Sequence, residues 1–73
     1  EQQQTGTPSA ILLNNLGNAE GSLGRWSAAM QHYKSAADDA DVGTIALANY
    51  ALAAFETGDD DLAIRSARQL LRR

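Results

Sequence analysis

The chain has 73 residues, of which 44% are apolar and 21% charged, and a formal net charge of −3. A domain of that length buries only about 60% of the surface its unfolded chain exposes, so one marginally stable domain fits and two do not. The negative balance argues against a binder of the nucleic-acid phosphate backbone, which needs a positive field, and the lack of cysteine excludes a disulfide framework, a thiolate zinc site and a thiol nucleophile.

Abundant alanine and a single proline favour helices over strands. Residues 1–7 read as a flexible tail, since Glu1 to Gly6 have no apolar periodicity. Thr7 and Pro8 form a start signal, a hydroxyl cap followed by proline at the first helical position. Leu12, Leu16, Ala19 and Leu23 then recur on one face and predict the buried stripe of a first helix. Gly24 stops it, because a left-handed terminal residue costs glycine almost nothing. Trp26, Ala29, Met30, Tyr33, Ala36 and Ala37 predict a second helix, and the acidic stretch Asp38 to Asp41 a connector. Leu47, Tyr50, Ala51 and Ala54 line a third helix that ends at Gly58. Asp59, Asp60 and Asp61 start the fourth, where carboxylates accept from free N–H groups and oppose the positive end of the dipole. Its buried stripe is expected to be Ala63, Ile64, Ala67, Leu70 and Leu71.

The second half repeats the first. At an offset of 34 residues Ile11 maps to Ile45, Leu13 to Leu47, Asn15 to Asn49, Ala19 to Ala53, Gly24 to Gly58 and Ala29 to Ala63. Identities clustered on apolar and turn positions mark a duplicated unit, with one helical hairpin over residues 8–41 and another over 42–73. Gly17 with its equivalent Ala51, and Ala29 with Ala63, are expected where helix axes approach too closely for a large side chain.

These residues resemble the tetratricopeptide repeat family, whose 34-residue unit sets a Leu-Gly couple, a turn glycine and spaced aromatic and alanine positions. The first copy has Leu16-Gly17, Gly24, Trp26, Ala29, Tyr33 and Ala36 in that order, and the second has Tyr50-Ala51, Gly58, Ala63 and Leu70. The second copy departs by placing Asp60 where Trp26 stands and Ala67 where Tyr33 stands, and Glu20 occupies a site the family usually gives an aromatic. The resemblance covers residues 9–73. It implies an all-α, right-handed α-solenoid of two antiparallel helical hairpins, whose first helices line a concave groove that takes a peptide or protein. By that resemblance the groove displays Asn14, Asn18 and Ser22 from the first copy and Asn49, Leu52, Phe55 and Glu56 from the second. Asparagine amides donate to and accept from a peptide backbone, and Leu52 and Phe55 add an apolar strip. Asn15 and Asn49 also admit a purely structural reading as helix-packing amides. A subclass that clamps terminal carboxylates is not expected: Asn18 and Asn49 match its asparagines, but Asn14 and Ile45 stand where it carries cations.

No catalytic residue, metal site or cofactor is assigned. His32 is the only histidine and has no serine or cysteine nucleophile beside it. The run Asp59 to Asp61 lacks the spaced oxygens of a calcium loop. Arg65, Arg68, Arg72 and Arg73 fall on the last helix, where cations oppose the dipole, though the first three also share a face that an acidic partner could use. No apolar run approaches the ~20 residues of a spanning helix and no signal segment is visible, so the chain is expected to be soluble and to meet a membrane only by way of a partner. The absence of an initial methionine reads as a piece of something longer, and nothing fixes the compartment. Two repeats are fewer than a solenoid usually needs, so Ile64, Leu70 or Leu71 should be exposed at the end and covered by further repeats, a second copy or a larger complex. Besides an adaptor with a peptide in its groove, a structural or assembly subunit held by its ends and convex face stays open. The run Leu12 to Asn18 with Gly24-Arg25-Trp26 is also faintly similar to plastid repeat proteins that assist photosynthetic-membrane complexes.

Overall fold

The computed structural model describes residues 9–72; the tail 1–7, the Thr7-Pro8 start signal and Arg73 lie outside them. Among the described residues the chain is all-helical, with four helices and no strand: α1 (Ala10–Ser22), α2 (Trp26–Ala36), α3 (Gly43–Glu56) and α4 (Asp60–Leu71). Each helix packs on the next in sequence, and α1 also touches α3. Three-residue links at 23–25 and 57–59 leave room only for a reversal, so α1 and α2 run antiparallel, as do α3 and α4. None of the described helices is long and apolar enough to cross a membrane.

The helix ends follow from local chemistry. Ser9 caps α1, its Oγ accepting from the Leu12 N–H at 3.1 Å. Asp39 organises the turn before α3, its Oδ2 accepting from the N–H groups of Asp41 and Val42 at 2.8 and 2.9 Å. Those two donors hold the Asp39 carboxyl below the usual carboxylate range, because they stabilise its charged form. Asp59 caps α4 by accepting from the Leu62 N–H at 3.2 Å, with Asp60 and Asp61 in the first turn.

The two hairpin turns are copies of one another. Gly24 and Gly58 have φ of +77° and +88°, as a left-handed helix terminus requires. Arg25 N–H donates to Glu20 O, and 34 residues on Asp59 N–H donates to Ala54 O, both at 2.9 Å. A Cβ at either glycine would meet nothing within 4 Å, so alanine there is penalised by backbone conformation alone. Gly24→Ala and Gly58→Ala should each cost about 1–2 kcal/mol in urea unfolding; a neutral variant would mean that the left-handed turn is not retained.

The core is built largely from small side chains. Ala29, Ala36, Ala46, Ala53 and Ala54 are fully buried, and Tyr33 and Leu47 nearly so. Ala29, Tyr33 and Ala53 cluster, with Trp26, Met30 and Tyr50 packed against them. The predicted stripe of α2 is therefore the buried one, and Leu47, Tyr50, Ala51 and Ala54 of α3 are buried or half-buried.

Two stripes differ from expectation. In α1, Leu12, Leu16, Ala19 and Leu23 are all exposed, and the buried residues are Asn14, Gly17 and Gly21. The reason is steric: the Tyr33 and Trp26 rings of α2 occupy the space over Gly17 and Gly21 and leave no room for a side chain there. A Cβ on Gly17 would come within 2.6 Å of the Tyr33 ring, and one on Gly21 within 2.8 Å of the Trp26 ring. In α4 only Ala63 and Leu70 of the expected stripe are half-buried, while Ile64, Ala67 and Leu71 are exposed and Ser66 is buried. Only α3 packs against α4, so a single narrow face is covered.

Candidate partner-binding face

Where α1 meets α3, three asparagines converge. Asn49 Nδ2 donates to Asn14 Oδ1 at 3.1 Å and lies 3.4 Å from Asn18 Oδ1. From α2, the Tyr33 hydroxyl donates to the same Asn18 oxygen at 2.7 Å. These bonds tie α1, α2 and α3 together and fix the amides, since the Asn14 and Asn18 oxygens already face donors. Asn14 is buried, so its carbonyl serves the seam between helices. Asn18 is exposed and Asn49 half-exposed.

What the fixed amides leave free is specific. No protein group accepts from the Asn18 NH2 or donates to the Asn49 Oδ1 among the described residues, and neither atom is a buried orphan. A donor on exposed Asn18 and an acceptor on half-exposed Asn49 are thus left without a protein partner, and an extended backbone offers one carbonyl and one N–H to such groups. Leu52 and Glu56 follow Asn49 at three and seven residues and lie on its stripe of α3. Phe55, six residues from Asn49, sits about a third of a turn round the helix. Leu52 and Phe55 are both largely exposed. The Ser22 hydroxyl donates back to Asn18 O at 3.0 Å, within its own helix.

Tyr33 belongs to this arrangement although its spacing marks it only as core. Burial pushes its phenol above the ordinary value of 10.0, and the nearby Glu20 carboxylate adds to the shift. Glu20 itself accepts from His32, Oε1 to Nδ1 at 2.6 Å, a polar cross-link between α1 and α2. Spacing in the sequence does not reveal that link, because the two residues lie on different helices.

A separate cleft of about 390 Å³ lies between α2, α3 and α4, lined among others by Lys34, Asp38, Tyr50, Arg65 and Ser66. Its charges are mixed, and Arg65 reaches it while Arg68 and Arg72 are also exposed on α4. Among the described residues no group of three or more His, Cys, Asp or Glu side chains is placed to hold a metal. In comparisons with known proteins, no family model, no curated protein and no solved structure matches this chain.

Proposed function

We propose that the chain is a non-catalytic protein-interaction module, a right-handed solenoid of two tetratricopeptide-like hairpins that receives an extended peptide on its α1–α3 face. The observation that carries this reading is the amide cluster of Asn14, Asn18 and Asn49, held by bonds from three helices, which leaves the Asn18 NH2 and the Asn49 Oδ1 without a protein partner. Pre-set donors and acceptors bind a backbone without first losing side-chain entropy. Leu52 adds apolar contact on the same stripe and Glu56 a negative charge beside it, which favours a peptide carrying a cation.

Selection from a displayed library of random peptides tests the idea. Peptides enriched on the chain should lose at least about tenfold in affinity on Leu52→Lys, roughly 1.4 kcal/mol, and a comparable amount on Asn18→Ala. Leu52 is exposed, so Leu52→Lys should leave the helical content unchanged. Asn18→Ala also removes the acceptor of the Tyr33 hydroxyl, so its affinity is read per folded chain as measured by circular dichroism. Enriched peptides indifferent to both substitutions, or no enrichment at all, would overturn the assignment. A second reading, a structural subunit of a larger assembly, is favoured by the apolar residues exposed on α1 and α4.

A further inference from the structure

The two ends of the chain are the open halves of a junction that its middle closes. Counting 34 residues along, α1 corresponds to α3 and α2 to α4. At the middle α2 packs on α3, and there Ala46 and Ala53 are 0% and Tyr33 4% exposed, with Met30, Ala37 and Tyr50 half-buried. On α1 the counterparts of the α3 residues are out in solvent: Leu12 for Ala46 at 58%, Leu16 for Tyr50 at 42%, and Ala19 for Ala53. On α4 the counterparts of the α2 residues are out as well: Ile64 for Met30 at 50%, Ala67 for Tyr33, and Leu71 for Ala37 at 87%.

We propose that the chain associates head to tail, the α1 face of one copy packing on the α4 face of another and continuing the α2–α3 junction. A second copy is the fitting occupant because the two faces correspond to opposite sides of one contact already made within the chain. Neither face corresponds to a partner for itself. The α1 stripe of Leu12, Leu16, Ala19 and Leu23 carries no charge, so covering it strips no ion of water. A contact between unlike faces does not close on itself, and successive copies extend an open row. With one helix set against another, the interface is small and the association weak. The inference does not depend on what the asparagine face binds.

Sedimentation equilibrium on the 73-residue chain over a rising concentration series tests this. The weight-average mass should climb from that of one chain, 7.8 kDa, past twice that value without levelling at two. Leu12→Lys with Leu16→Lys removes one face, and Ile64→Lys with Leu71→Lys removes the other. Either double variant alone should stay at single-chain mass. An equimolar mixture, which keeps one face of each kind, should reach a dimer and stop there. A wild-type chain that remains single at every concentration would overturn the proposal. So would a double variant that still dimerises alone, since that reports pairing of like faces, or a mixture that fails to associate. Circular dichroism checks that each variant keeps its helices; if one does not, Gln in place of Lys at the same exposed sites repeats the comparison with the same expectations.

Discussion

Tyr33→Ala should leave the chain largely unfolded at room temperature. The ring is 4% exposed, packs with Ala29 and Ala53, and anchors its hydroxyl on Asn18. Deleting a buried aromatic side chain costs about 3–5 kcal/mol, and a single core in a chain this short rarely supplies more than about that amount. Far-ultraviolet circular dichroism would read the loss directly; a variant with wild-type helicity and urea midpoint would refute the central place given to this ring. Tyr33→Phe keeps the ring and removes one hydrogen bond, so it should cost only about 0.5–1.5 kcal/mol. The phenol also makes stability depend on alkali. Its folded pKa is raised, so below pH ~10 both states hold the proton and the contribution is intact. As pH rises further the unfolded chain ionises first, and stability falls until the folded phenol ionises too. Tyr33→Phe should flatten that alkaline decline.

Gly17→Val should destabilise the chain by about 2–3 kcal/mol, the upper range of overpacking. A Cβ at that position would lie 2.6 Å from Cε1 and 2.8 Å from Cδ1 of Tyr33, well inside the 3.5–4.0 Å at which carbon atoms attract. The ring cannot step aside cheaply, because its hydroxyl is held by Asn18 and it is packed with Ala29 and Ala53. Replacing glycine inside a helix ordinarily gains up to about 1 kcal/mol in propensity, so the contact must more than offset that gain. A double-mutant cycle of Gly17→Ala with Tyr33→Leu isolates the clash, with a coupling of at least about 0.5 kcal/mol expected. Strict additivity would show that the two residues do not compete for space.

Hydropathy alone conveyed the elements well and the buried faces of α1 and α4 badly. The α2 stripe, the turn glycines and the acidic start of α4 were legible because each is a local choice with one favoured outcome. In α1 the leucines suggested a buried stripe, and the buried surface turned out to be Asn14, Gly17 and Gly21. Periodicity registers where greasy side chains lie, whereas here the bulk is lent by rings from the neighbouring helix. Two glycines four apart inside a helix were the available sign, since each weakens the helix unless something packs against it. Asn14, Asn18 and Asn49 could be singled out as residue types, but their meeting depends on α1 crossing α3. Asn14 and Asn49 are 35 positions apart, beyond what local spacing constrains.

The order of packing has a consequence for how the molecule comes apart. Because α4 leans only on α3, and α1 is tied by its glycine seams to α2 and by amides to α3, the two ends are not equally fastened. Amide protons of α4 should trade with solvent deuterium sooner than those of α2 and α3, through openings that leave the rest folded. The C-terminal helix is then the loosest cooperative unit, and whatever covers it slows the breathing of the chain from that side.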